Sequence, residues 1–212
     1  VAEEGITTED VFCAVVPGTH DFTISGGMLT GNCSYTRAQT VYQLVDIFWL
    51  LLNGCGVGFR PIAGTLHGYL KPIKELEIIE SQQPADHHGS PTNVYTPPTF
   101  ENDYHWTINV GDSAQAWARS LGKLLNPPVS EVHKLTIDFS DVRGPGKRLK
   151  GYGWICNGSK PLQVAFQKIH AIMNAKAGDL LDEIDLLDVI NWLGTVLSSR
   201  RSAQIALLDH AH

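Results

Sequence analysis

Apolar side chains recur every three or four residues in four parts of the chain, which is the spacing of an α-helix with a buried face. This pattern predicts helices over residues 38–53, 113–125, 161–174 and 182–197. The first of them is apolar on most of its circumference, so we expect it to be buried on most sides. Asn53-Gly54 is a typical helix end, and Asp112-Ser113 is a typical N-terminal cap for the second helix.

Short apolar runs between turn signals predict β-strands. They cover residues 11–16, 22–24, 28–30, 56–59, 135–139 and 202–208, the fourth of which also fits a tight loop. Residues 81–105 are rich in turn-forming residues and predict an extended surface loop. Helices and strands alternate from residue 33 onward, which favours an α/β sheet or barrel, whereas the first 32 residues contain strands alone.

Composition limits the classes of function. The 212 residues carry a formal net charge of −6, which argues against a nucleic-acid-binding protein, because such proteins need a basic face. The longest apolar run, residues 47–52, is too short to cross a bilayer. Four widely spaced cysteines without a Cys-x-x-Cys pair argue against a zinc ribbon and a disulfide framework. No signal peptide opens the chain, so we expect a cytoplasmic protein without a membrane or nucleic-acid partner.

The stretch VFCAVVPGTHDFTISGGMLTGNC at residues 11–33 combines a His-x-Phe motif, a Gly-Gly turn, a short strand and a final Asn-Cys pair. In this combination it resembles the C-terminal end of an intein, a self-splicing element with a Hint-type fold. The resemblance implies that residues 1–32 are an intein segment in which Asn32 cyclises and cuts the chain behind it. Cys33 would accept the acyl group and His20 would assist, since thiols form thioesters and imidazole transfers protons at neutral pH.

Two features of this segment leave its exact type open. Inteins usually carry His before the final Asn, whereas this chain has Gly31, which permits a bent backbone but supplies no proton. Cys13 and Thr30 occupy positions that are Cys and Thr in an intein subclass without the usual N-terminal nucleophile, and also in many ordinary inteins. A small buried strand residue is the alternative interpretation of Cys13.

Four motifs from Cys33 onward occur in the order found in ribonucleotide reductases. They are CSYT followed by a helix and NGCGVGF at 33–59, VGDSAQAWARSL at 110–121, FSDVRGPGKRLKGYG at 139–153, and DVINWLGTVLSSRRSAQIAL at 188–207. Residues 33–212 therefore resemble the first part of the catalytic α/β barrel of this family, and most closely its adenosylcobalamin-dependent, triphosphate-reducing class. Cys55, Trp154 and Cys156 depart from the family pattern and leave the subclass open.

This resemblance implies a fold, a function and site residues. The fold class is α/β, with the first half of a reductase barrel behind a short β segment of an intein fold. Cys33 would be a redox thiol in the conversion of ribonucleotides to deoxyribonucleotides, because a dithiol that becomes a disulfide can be reset by thiol exchange. Ser34, Gly56 and Gly58 would contact the substrate.

The resemblance also implies a cofactor and partners. The cofactor would be adenosylcobalamin. The partners would be a ribonucleotide substrate, a nucleotide effector, a thioredoxin-type reductant, and the remaining reductase and intein segments. In the family, the radical-bearing cysteine, the second redox cysteine and their carboxylate and amide partners lie later than the last matched motif. Because the chain begins at Val1 and ends at His212 without a clear end, we interpret it as a piece of a longer protein that does not reduce ribonucleotides alone.

Two polar or glycine-rich runs fit both a functional and a structural interpretation. The Gly-x-Gly-x-Gly run at 54–58 suits either a loop that lines the substrate or a tight turn. The Asp-His-His run at 86–88 suits a metal cluster or, more simply, a solvated loop tip.

The basic residues also fit both a functional and a structural interpretation. Arg143, Lys147 and Arg148 suit either a contact to effector phosphates or a solvated loop, and Arg-Arg-Ser at 200–202 also suits a phosphate. Cys156 is interpreted as structural.

Two further classes of function stay open. Cys33 paired with His20 or His67 would suit a cysteine-nucleophile hydrolase, although no nucleophile-turn motif surrounds Cys33. A nucleotide-binding module without catalysis is the other alternative.

Overall fold

The computed structural model describes residues 21–24, 28–31, 33–53, 55–147 and 155–196, with side chains from Tyr35 onward. The strands are β1 (Asp21–Ile24), β2 (Met28–Gly31), β3 (Cys33–Ala38), β4 (Gly56–Pro61), β5 (Glu75–Ile79), β6 (Val94–Thr96), β7 (His105–Asn109) and β8 (Lys134–Asp138). The helices are α1 (Val41–Leu52), α2 (Ala114–Leu125), α3 (Lys160–Ala175) and α4 (Glu183–Gly194), with a 3-10 turn at Phe100–Asn102.

The elements β3, α1 and β4 form a parallel βαβ unit. The two strands pair over six consecutive residues, from Cys33 opposite Gly56 to Ala38 opposite Pro61. The hydroxyl of Thr40 caps α1 by accepting the Gln43 amide at 3.2 Å, which fixes the start of the helix shortly after the end of β3. The buried face of α1 consists of Leu44, Ile47, Phe48 and Leu51.

The largest sheet has the strand order β5-β8-β7-β6. β5, β8 and β7 run parallel, whereas β6 is antiparallel to β7. α2 connects β7 to β8, which makes a second βαβ unit. One face of the three parallel strands packs in the hydrophobic core through Leu76, Ile78, Trp106, Ile108, Leu135 and Ile137.

The four helices pack against one another: α1 and α3 each contact both α2 and α4. The strands of the described segments form three separate sheets of two, two and four strands and close no barrel. No helix among the described residues is long and apolar enough to cross a membrane.

The four predicted helices are confirmed, with ends within a few residues of the expected ones. The strand predictions for 22–24, 28–30, 56–59 and 135–139 are also confirmed, whereas 11–16 and 202–208 lie outside the described residues. The prediction of a plain loop over 81–105 is wrong in part, because Val94–Thr96 pairs with β7. Strands β5 and β7 lie in stretches where we predicted no strand.

A buried polar pair attaches the segment before β5 to α3. The Tyr69 hydroxyl lies 3.2 Å from Nδ1 of His170, and both residues are buried. Burial lowers the pKa of His170 from 6.5 to about 4 and raises that of Tyr69, so both groups are neutral at physiological pH. Asn174 adds two hydrogen bonds to the backbone of Ile73, at 2.8 and 2.9 Å.

We expect the free energy of unfolding to fall as the pH drops from about 6.5 to about 4. The pKa of His170 is lower in the folded state than in the unfolded chain. As the pH falls through this range, the unfolded chain binds the proton first, which favours unfolding. The effect of this one residue is on the order of 3 kcal/mol, at 1.36 kcal/mol per pKa unit. Denaturant unfolding at several pH values measures it.

His170→Gln keeps a side-chain acceptor but does not titrate, so it should flatten the pH dependence over this range. His67→Gln is the matched control, since His67 is exposed. An unchanged pH dependence in His170→Gln would contradict the assignment.

Candidate functional site

The turn Gly111-Asp112-Ser113 joins β7 to α2 at the carboxyl ends of the parallel strands. Ser113 caps α2, with its hydroxyl accepting the Ala116 amide at 3.0 Å. In open α/β sheets, ligands bind in the crevice outside these strand ends. The turn is therefore placed where a binding site is expected.

Asp112 forms a buried ion pair with Arg143, which follows β8. Both carboxylate oxygens of Asp112 lie 2.9 Å from Nε of Arg143. The backbone amides of Gly89 and Arg143 also donate to this carboxylate, each at 3.3 Å. The Asp112 side chain is only 3% exposed, so these donors replace the water that its charge has lost.

The guanidinium group of Arg143 bonds to Asp112 through Nε, on one side of the group. Hydrogen bonding to Asp112 raises the pKa of Arg143 further, so the group is always charged. Its two terminal Nη atoms have no hydrogen-bond partner among the described residues, and the side chain is 21% exposed. Lys147, four residues later, is half-buried and forms no ion pair with any described residue. This leaves cationic donors available to an anion.

Cys156 closes the stretch that begins at Arg143. Its backbone donates to the Lys147 carbonyl at 2.8 Å and accepts from the Gly146 amide at 2.9 Å. Burial raises the pKa of the thiol, which keeps it protonated. These contacts agree with a structural role. Arg148 lies outside the described residues.

The other predicted site lies on β3 and β4. Cys33 is opposite Gly56, and Tyr35 is opposite Gly58, so these four positions share one face of the strand pair. Val57 and Phe59, which alternate with the two glycines, are buried toward the core. Ser34 occupies the register position of Val57. Its role as a substrate contact stays a prediction.

Two exposed arginines, Arg37 and Arg60, are opposite each other on the face that carries Cys33. Neither forms an ion pair with another described residue. Sequence reasoning missed this pair, because the register of a parallel pair separated by a helix is not visible in the sequence.

The face of the β3–β4 pair that carries Cys33 and the turn that carries Asp112 do not meet in the described part of the chain. No hydrogen bond or ion pair in this part of the chain joins the β3–β4 face to the Asp112 turn. The loop with His67 leaves the far end of β4, about 16 Å along the strands from Cys33 at 3.3 Å per residue. This arrangement gives no support to a Cys33–His67 hydrolase pair. His20 and Asn32 lie outside the described residues.

The run at 86–88 is more ordered than a solvated loop tip. Asp86 and His88 are exposed, but Nε2 of His87 contacts a carboxylate oxygen of Asp141 at 3.0 Å. No group of three potential metal ligands occurs in the described segments. The sequence analysis missed this contact because His87 and Asp141 are 54 positions apart.

A surface cavity of about 250 Å³ lies between the loop before β5 and the loop after α2. Tyr69, Leu70, Leu125 and Val129 are among its lining residues. This volume is too small for a corrinoid cofactor, since ordinary drug-sized ligand pockets already occupy about 300–1,000 Å³. We therefore assign no residue of this cavity to adenosylcobalamin.

Comparison with known proteins identifies relatives of the chain. The adenosylcobalamin-dependent ribonucleoside-triphosphate reductase of Lactobacillus helveticus is 30% identical over 177 residues, covering 76% of this chain and 24% of that enzyme. The enzyme of the same name from Lactobacillus acidophilus is 27% identical with the same coverage. A probable enzyme of this kind from Dictyostelium discoideum is 30% identical over 103 residues, 47% of this chain and 14% of that protein. No family model matches.

A solved structure supports the same relationship at the level of the fold. The crystal structure of a B12-dependent (class II) ribonucleotide reductase superposes with a TM-score of 0.59 at 18% identity, over 77% of this chain and 27% of that one. The homologues of the chain are thus ribonucleotide reductases, a class of oxidoreductase. The chain spans about a quarter of the length of the curated relatives it matches. None of these relatives bears on the intein resemblance of residues 1–32.

Replacing Asp112 with Ala should destabilise the fold by about 3 kcal/mol, at the low end for breaking a buried ion pair, because Arg143 can partly reach water. Denaturant unfolding measures this loss. Asp138→Ala is the control, because this half-buried carboxylate at the end of β8 accepts the nearby Ser140 amide and forms no ion pair with any described residue. Equal stability of the two variants would show that the pair does not hold the turn.

Proposed function

We propose that the chain is part of an adenosylcobalamin-dependent ribonucleoside-triphosphate reductase, namely the first part of its catalytic domain. The observation that carries the proposal is the match, over three quarters of the chain, to enzymes of this name. The geometry of the strand pair supports it. Cys33 lies beside two glycines whose missing side chains leave room for a substrate to approach the backbone.

The chemistry proposed for Cys33 is a two-electron reduction. A ribonucleotide loses its 2′ hydroxyl as water and gains a C–H bond, while two thiols lose two electrons and two protons and form a disulfide. Cys33 supplies one thiol, and the second belongs to a part of the enzyme that this chain does not contain. A thioredoxin-type dithiol then exchanges with the disulfide and restores both thiols. The cofactor, adenosylcobalamin in the relatives, would supply the radical chemistry.

The proposed role of Arg143, Lys147 and Arg148 is to bind the phosphates of a nucleotide effector. Two observations support this role: the Nη atoms of Arg143 bond to no other described residue, and Lys147 forms no ion pair with any described residue. A guanidinium already fixed by Asp112 loses little conformational entropy on binding, which suits the recognition of phosphate.

Replacing Cys33 with Ser in the complete enzyme should abolish the formation of deoxyribonucleotides. A hydroxyl cannot form the disulfide that ends the reduction, whereas binding of the substrate should be little changed. Chromatography of the products with an external dithiol as reductant measures turnover. Cys156→Ser is the control at a buried cysteine outside the proposed chemistry. Full turnover of Cys33→Ser would show that Cys33 is not the redox residue.

We further propose that Asn32-Cys33 is a splice junction. The observation behind this proposal is the motif at residues 11–33, and the antiparallel strand pair β1–β2 ends at Gly31, directly before the junction. The two strands form a sheet of their own, apart from the β3–β4 pair. Cys33 would thus serve first as the acyl acceptor and later as the redox thiol.

The folded chain should therefore lose its first 32 residues slowly at neutral pH, by cyclisation of Asn32. Intact-mass measurement after long incubation detects the loss. Asn32→Ala removes the cyclising amide and should stay intact, whereas Asn53→Ala, at the end of α1, should cleave as the parent does. Identical masses for the parent and Asn32→Ala would contradict the proposal.

A further inference from the structure

The loop at residues 84–93 lies at the carboxyl ends of the parallel strands. It runs between the turn before α2, which contains Asp112, and the turn after β8, which contains Asp141. On one side, Asp141, in the turn after β8, accepts the Ser90 amide at 2.6 Å and contacts Nε2 of His87 at 3.0 Å. The bond from the Ser90 amide, together with His87, lowers the pKa of Asp141, so this carboxylate is charged at neutral pH. We call residues 84–93 the strap and the His87–Asp141 contact its latch.

On its other side, the strap holds the turn before α2. The Asp112 amide donates to the Ser90 carbonyl at 2.6 Å, and the Gly111 amide donates to the Asn93 side chain at 2.8 Å. The Ser113 hydroxyl donates to the Pro91 carbonyl at 2.7 Å. The strap therefore bonds to each residue of the Gly-Asp-Ser turn.

The strap also contacts the stretch that carries Arg143 and Lys147. The Gly144 amide donates to the Pro84 carbonyl at 3.0 Å, directly after Arg143. The backbones are so close here that a Cβ on Gly144 would lie 2.3 Å from the Gln83 carbonyl oxygen. Gly89 is equally confined, since a Cβ there would lie 2.1 Å from the Asp141 carbonyl oxygen.

We propose that the strap, closed by the His87–Asp141 latch, positions Arg143 and Lys147 for nucleotide binding. His87 and Asp141 are positioning residues, because they act through the backbone that carries the two cations and touch no ligand themselves. The inference rests on the proposed function only in naming a nucleotide as the ligand. The restraint of the Arg143 stretch by the strap is a property of the chain alone.

The test combines ligand binding with hydrogen exchange. Binding of a fluorescent ATP analogue to the full chain is measured by anisotropy, and exchange is measured at the amides of Asp112, Arg143 and Gly144. His87→Ala should weaken binding about fivefold and speed exchange about tenfold, since one hydrogen bond to a charged group is lost. His87→Gln, whose amide can still donate to Asp141, should restore both.

Two further variants separate positioning from general damage. His88→Ala removes an exposed neighbour of the latch and should change neither measurement. Gly89→Ala keeps both latch residues but forces the strap away from Asp141, so it should weaken binding at least as much as His87→Ala. Parental binding and exchange in His87→Ala and Gly89→Ala would overturn the inference, as would failure of His87→Gln to restore them.

Lys147→Ala distinguishes failure of the positioning role of the strap from failure of the proposed nucleotide-binding function. If the parent does not bind the analogue, or Lys147→Ala binds as tightly as the parent, the assignment of a nucleotide to this stretch fails. The exchange rates of His87→Ala then still decide whether the strap restrains the Arg143 stretch. Parental exchange rates would overturn that part also.

Discussion

The buried carboxylate of Asp112 is the constraint on which the candidate site depends. A charge that is 3% exposed is unstable in a protein interior unless several donors surround it. Its donors come from two other segments, Gly89 in the strap and Arg143 after β8, and the backbone amide of Asp112 bonds separately to the Ser90 carbonyl of the strap. Satisfying this one charge therefore fixes three loops relative to the ends of β7 and β8.

The same constraint explains why Arg143 suits a binding role. A surface arginine without a partner samples many rotamers and loses that freedom when a ligand binds. Arg143 is already ordered by its Nε contact, whereas its Nη atoms bond to no other described residue. The ion pair thus contributes both to stability and to the preorganisation of a cation.

The sequence predicts the helices well because their signals are local. Thr40 and Ser113 cap α1 and α2 within three residues of the amides they accept, and the apolar spacing defines each buried face. Strands β5 and β7 were missed because each depends on pairing with β8, which is 29 or more positions away. The alternation of exposed and partly buried residues along β5, such as Glu77 beside Ile78, is too short to predict a strand alone.

The candidate site could be predicted from the sequence only where its signals are local. The motifs around Cys33, Asp112 and Arg143 lie within short segments and are readable as a family resemblance. The latch between His87 and Asp141 is not, since either residue alone fits a solvated loop. Only the fold places a carboxylate from the turn after β8 next to the imidazole. Long-range hydrogen bonds of this kind leave no periodic signal in a sequence.

The helix layer is the physical connection between the two proposed sites. α1 belongs to the unit that holds Cys33, α2 starts at the turn that holds Asp112, and the two helices pack against each other. Their approach is close, because a Cβ on Gly122 of α2 would lie 3.0 Å from Cγ2 of Val45 on α1. Packed helices of this kind move as units with few alternative arrangements. The position of the proposed redox strand relative to the turn at Asp112 is therefore set by side-chain packing between α1 and α2, and no hydrogen bond or ion pair among the described residues joins the two sites directly.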